Sequence, residues 1–167
     1  MKYGLERLLG GMLRLETTIA IVTFLLMAGA LAADVIGREL FGRGTFGSVK
    51  FAVYSLIYCA MAGFGIATAT GSHLRPSFAD RLIPAALTPA AIRIGNLASA
   101  AILLMLAYAG YEFVEFARMI EERSDTLDWL MWPIQAAIPI GFGFSALRYV
   151  IYAAYPVLRP EDKGITE

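Results

Sequence analysis

Charged residues cut this sequence into four long apolar stretches. Seventeen uncharged residues run from Thr17 to Ala33 between Glu16 and Asp34, and 22 run from Phe51 to Ser72 between Lys50 and His73. A further 18 run from Ile94 to Tyr111 between Arg93 and Glu112, and 19 run from Trp129 to Leu147 between Asp128 and Arg148. A helix needs about 20 predominantly apolar residues to cross the hydrocarbon of a bilayer, and flanking charges lengthen a short stretch by snorkelling. The pattern predicts an all-α membrane protein forming one domain, with four transmembrane helices at about 15–37, 50–72, 88–118 and 128–154.

The flanks add detail. Leu5, Leu8, Leu9, Met12 and Leu13 recur at helical spacing, with Lys2, Glu6 and Arg7 elsewhere on the wheel. Residues 1–16 therefore predict an amphipathic interfacial helix lying on the inner leaflet. The connection from His73 to Ala86 mixes Leu74, Phe78, Leu82 and Ile83 with Arg75, Asp80 and Arg81 and could lie flat in the same way. Thr88-Pro89 reads as an N-cap and first-turn pair, Asp128 as a cap for the fourth helix, and Pro139 as a kink within it. Ala30-Leu31-Ala32 resembles a signal-peptidase site, but a long leading segment with two glutamates argues against cleavage.

Composition agrees with lipid as the solvent: 58% of residues are hydrophobic and 17% charged, against about a quarter charged in soluble domains. With 14 basic and 14 acidic residues there is no basic stripe for nucleic acid. The distribution of charge is more informative than its sum. Nine Lys and Arg residues fall in the N-terminal segment, the second connection and the C-terminal end, and five fall in the first and third connections. The positive-inside bias then puts both termini in the cytoplasm, with residues 155–167 as a cytoplasmic tail. Tyr54, Tyr58, Tyr108, Tyr111, Trp129 and Trp132 toward one side, and Tyr149, Tyr152 and Tyr155 toward the other, read as interfacial belts.

Candidate chemistry is sparse. Cys59 is the single cysteine and His73 the single histidine, so neither a cysteine cage for a metal nor a bis-histidine haem site is expected, and no cofactor is assigned. No charged residue lies at mid-depth in the spans, which argues against a proton relay or a charged substrate pocket within this chain. They do contain small residues at fourfold spacing: Gly63, Ala67 and Gly71 on the second helix, and Ala137, Gly141 and Ser145 on the fourth. Such stripes are contact faces, either among the chain's own helices or against a partner subunit. In the third connection, six carboxylates against Arg118 and Arg123 leave a formal charge of −4. A helix extending beyond the membrane, with Glu115–Arg118 and Arg118–Glu122 pairs, accounts for it. Glu121, Glu122 and Asp125 are candidates for docking a periplasmic partner.

Short motifs along the chain resemble one family. Asp34-Val35-Ile36-Gly37-Arg38-Glu39-Leu40-Phe41 ends the first helix, Gly71-Ser72-His73-Leu74-Arg75 ends the second, and Asp80-Arg81-Leu82-Ile83-Pro84 follows. Trp132-Pro133 and Ile138-Pro139-Ile140-Gly141-Phe142 then precede Leu147-Arg148. Their order and spacing resemble the small membrane subunit of tripartite ATP-independent periplasmic (TRAP) transporters. The chain departs from that pattern at Ser48-Val49-Lys50 and at Ser77, where family members often carry a carboxylate. The resemblance marks Arg38, His73, Arg75, Asp80, Arg81 and Arg148 as motif residues. It implies a non-catalytic scaffold and anchor in the cytoplasmic membrane. Its partners would be a large membrane subunit that moves an organic acid with coupling cations, a transiently bound periplasmic substrate-binding protein, and membrane lipids. The alternative from the same topology is a membrane anchor of a multisubunit redox enzyme.

Overall fold

The computed structural model describes residues 2–71 and 88–158. Helix α1 spans Lys2–Phe41, α2 Ser48–Thr70, α3 Thr88–Met119, α4 Trp132–Gln135 and α5 Ala137–Ala154, followed by a 3-10 turn at Pro156–Leu158. Among the described residues four helices are long and apolar enough to cross a membrane, counting α4 and α5 as one.

The N-terminal segment is helical, but it is not set off from the first span: α1 runs through 40 residues without a break. At 1.5 Å per residue this is about 60 Å, twice the hydrocarbon thickness. The polar residues at the junction do not interrupt it because they bond within the helix. The Thr17 hydroxyl donates to the Leu13 carbonyl at 2.8 Å, and that of Thr18 to Arg14 at 2.9 Å.

Glycines in the left-handed region punctuate α2. Gly47 precedes it at φ 75°, and Gly71 closes it at φ 71° with its N–H on the Ala67 carbonyl. The fourth span breaks at Ala136, between α4 and α5. Pro139 has no N–H to give the Gln135 carbonyl, so the expected kink falls at the preceding turn. Asp128 does not cap this helix. Residues 122–131 form a tight hairpin, with Ser124 N on Trp129 O and Met131 N on Glu122 O, both at 2.9 Å. Those bonds commit the backbone up to Met131, so the helix starts at Trp132 and Asp128 occupies a left-handed turn position at φ 53°.

The spans stand in a row. Helix α1 packs on α2, α2 on α5 and α5 on α3, while α1 and α3 have no substantial contact with each other. Burial follows this order: 33% of the apolar window of α2 and 39% of that of the α4–α5 span are buried, against 6% for α1 and 17% for α3. Lipid removes the hydrophobic drive between helices, so close backbone approach and polar contacts must hold the row. A Cβ on Gly110 of α3 would meet the Pro139 ring at 3.3 Å, and one on Gly141 of α5 would meet Met61 Cε at 2.8 Å. Phe64 and Phe142 add an edge-to-face contact at 5.5 Å.

Candidate functional site

Two charges that bound the apolar stretches in the sequence turn inward in the fold. Arg148 of α5 is fully buried and Glu16 of α1 is 5% exposed. Arg148 Nη2 donates to Glu16 Oε2 at 2.8 Å, and Nη1 donates to the carbonyl of Gly65 at 2.5 Å. The expectation of a chain without buried charges is therefore corrected. Both residues belong to membrane-length helices and share one buried site across α2.

Gly65 makes the site possible. Its missing side chain leaves the space that the Glu16 carboxylate occupies, and a Cβ there would overlap it. The glycine also brings its carbonyl within reach of the guanidinium. Three helices are thus pinned by one arginine, at a point where α1 and α5 otherwise touch little. Two charges removed from water at such a site depend on one another, and deleting either alone typically costs about 3–5 kcal/mol. Arg148 Nε and Ser145 Oγ are also buried and find no partner among the described residues.

A second polar cluster ties the far end of α1 to α2. Asp34 is ion-paired with Arg38 one turn later, and the Ser48 hydroxyl lies 2.9 Å from Asp34 Oδ1 and 2.8 Å from the Thr45 carbonyl. Gly44 permits the tight connection, since a Cβ there would sit 2.5 Å from Asp34 Oδ1. Arg38 itself is exposed.

At that same end the hairpin after α3 is fastened to the rest. The Tyr54 hydroxyl bonds Ser124 Oγ, Phe51 meets the edge of Trp129 at 6.2 Å, and Tyr58 donates to the Pro133 carbonyl at 2.9 Å. Glu115 and Arg118 form the expected pair at 4.0 Å. The Arg118 guanidinium lies 5.8 Å from the Trp132 ring centre, and Glu122 accepts from Gln135 Nε2 at 3.1 Å. Of the three docking candidates, Glu121 and Asp125 are exposed, and Glu122 is half-buried in this contact.

The small-residue stripes divide. Ala137 and Ser145 are buried within the chain, and Gly141 faces Met61. This half of the pattern packs the chain's own helices. Gly63 is exposed with open space around it, Ala67 is half-buried, and Gly71 serves as the helix C-cap. His73, Arg75, Asp80 and Arg81 lie outside the described residues.

Glu16 was the residue that sequence reasoning missed. The available signal was that Glu16 and Arg148 end their apolar stretches on the same side of the membrane with opposite charge. Among the described residues, no three His, Cys, Asp or Glu side chains gather as metal ligands would. The polar clusters hold helices to helices, and the protein is by class a multi-pass helical membrane component. Residues 27–159 match the family model of the DctQ component of tripartite ATP-independent periplasmic transporters, and the chain belongs to that family. It is the small membrane component of a three-part transporter and is not an enzyme. The match includes Gly65 and Arg148 and begins after Glu16. No match to a curated protein was found.

Proposed function

We propose that this chain is the static scaffold and membrane anchor for the large subunit of its transporter. In this reading the large subunit moves an organic acid together with coupling cations, and a periplasmic binding protein delivers the substrate. The protein lies in the cytoplasmic membrane with both termini inside, as its Lys and Arg distribution favours. The observation that carries the reading is the Glu16–Arg148–Gly65 contact, in which two buried charges fix three helices. Gly63 and Ala67, on the open side of α2, are the part of the small-residue stripes left for the partner subunit. Glu121 and Asp125 are the exposed carboxylates for transient contact with the binding protein.

Reconstitution in proteoliposomes tests this. Uptake is expected only when the large subunit and the binding protein are both added, and none from this chain alone. Flux through this chain alone, or undiminished uptake by the large subunit without it, overturns the scaffold reading. A cytoplasmic reporter fused to the C-terminus is expected to be active, and activity of a periplasmic reporter alone reverses the topology.

A further inference from the structure

A groove of about 280 Å³ lies between α1, α2 and the α4–α5 span. Ile19, Tyr58, Ala62, Pro133, Ile140 and Phe144 line it together with Glu16. From Pro133 to Phe144 it follows the fourth span for about three turns, or about 16 Å of rise. Among the described residues that line it, Glu16 and Tyr58 carry the polar side chains, and the Tyr58 hydroxyl already donates to the Pro133 carbonyl at 2.9 Å. Glu16 is only half used. Arg148 Nη2 donates to Oε2, whereas Oε1 takes no hydrogen bond among the described residues. What exposure the pair retains belongs to Glu16, whose side chain is 6% exposed against 0% for Arg148, and of the two Glu16 lines the groove. A buried ion pair depends on further hydrogen bonds to its remaining lone pairs, so this acceptor calls for a donor from the groove side.

Depth says where that donor comes from. Ile19 lies in the apolar run from Thr17 to Ala33, and Ile140 and Phe144 lie in the run from Trp129 to Leu147, so the groove faces hydrocarbon. Phospholipids bring ester and phosphate oxygens to the edge of that layer, and a carboxylate repels them. Donors inside a bilayer are carried by side chains of spanning helices, Ser, Thr and Asn among them. Charge narrows the choice. Arg148 already neutralises Glu16, so a cation, from a lipid ammonium or a Lys side chain, leaves a surplus positive charge, and an uncharged donor is matched. Shape agrees, because a groove three turns long between two helices admits the side-chain ridge of a third.

We propose that this groove seats one transmembrane helix of the large subunit, which presents an uncharged hydrogen-bond donor to Glu16 Oε1. The inference rests on the scaffold reading, from which it takes its partner. Glu16 precedes residues 27–159, so the family match does not supply this contact. Gly63, assigned above to the partner subunit, lies on another face of α2 from Tyr58 and Ala62, so the two contacts can be tested apart.

The test uses the full chain and its large subunit, co-expressed and cross-linked in the membrane. The photoreactive residue p-benzoylphenylalanine replaces Ile19, Ile140 or Gly63, one position at a time. Ile19 and Ile140 are expected to cross-link to one and the same spanning helix of the large subunit, identified by peptide mass spectrometry as carrying Ser, Thr, Asn, Tyr or Trp. Cross-links from both groove positions to lipid alone, or to different helices, while Gly63 reaches the large subunit, overturn the inference and leave the scaffold reading standing. Cross-links from none of the three, with no co-purification of the two chains, overturn both. Affinity for the large subunit, titrated in nanodiscs, gives a second arm. Ile140→Trp fills the groove from an exposed position and is expected to weaken association by about tenfold or more. Glu16→Gln keeps an oxygen on Arg148 but turns an N–H toward the groove, and is expected to weaken it by about fivefold, the scale of one hydrogen bond. Unchanged affinity in Ile140→Trp overturns the seat, and in Glu16→Gln the donor contact. The cross-linking arm retains Glu16 and decides the matter if Glu16→Gln does not fold.

Discussion

The two polar clusters on α1 bound the apolar stretch of one helix and behave as different kinds of fastening. Asp34 pairs with Arg38 only four residues away, and that arginine keeps its exposure to solvent. Glu16 pairs with Arg148 across 132 residues of sequence, with both side chains out of solvent and a third helix supplying a backbone acceptor. The first closes a turn whose backbone already brings its members together. The second brings together helices that barely touch, so its removal should be felt by the whole row.

The largest effect is expected from Arg148→Met, which leaves Glu16 buried without its partner. A loss of about 3–5 kcal/mol is expected, read as the shift in denaturant-induced unfolding of the detergent-solubilised protein. The double variant Glu16→Leu with Arg148→Met should recover most of it, since an apolar pair of similar volume is often as stable as a buried ion pair. A double variant no better than the single one would mean that the Gly65 contact, and not the pairing of charges, holds the site.

Gly65→Ala comes next. The added methyl must displace the Glu16 carboxylate, and overpacking of this kind costs about 1–3 kcal/mol. The same change at Gly141 meets Met61 less closely, at 2.8 Å from its flexible Cε and 3.1 Å from its Cβ, and should cost less. Equal costs at the two glycines would show that the charged site is no tighter than an ordinary helix contact. The smallest effect belongs to Arg38→Ala at the other cluster, because the Arg38 guanidinium is exposed and screened by water even though Asp34 is buried. Ser48 still holds Asp34 there, so unfolding should be unchanged within error.

That contrast also separates what could be read from the sequence from what could not. Four spans followed from charge gaps because hydrocarbon excludes charge, and the break near Pro139 followed from a missing N–H. The contact between Glu16 and Arg148 did not follow. A charge at the edge of an apolar stretch is ordinarily a snorkelling flank, and only the order of helices in space shows that these two face one another over Gly65. The continuity of α1 was hidden for a related reason: residues 2–16 and the apolar run after them each read as helix, and nothing local says whether a bend divides them. The hairpin at 122–131 depends on backbone bonds between residues of no regular period, so Asp128 read as a helix cap when its backbone was already committed to the turn. The docking candidates divided on side-chain company alone, since Gln135 occupies Glu122 and leaves Glu121 and Asp125 exposed.

The order of the helices has a hydrodynamic consequence. Four helices spaced about 8–10 Å apart in a row make an outline several times longer than it is thick, where a two-by-two bundle of the same mass would be nearly round. A membrane disc turns easily about its own centre, whereas a plank must sweep lipid aside along its length. Whatever is joined to such a plank gains a footing that resists rotation in the plane of the bilayer.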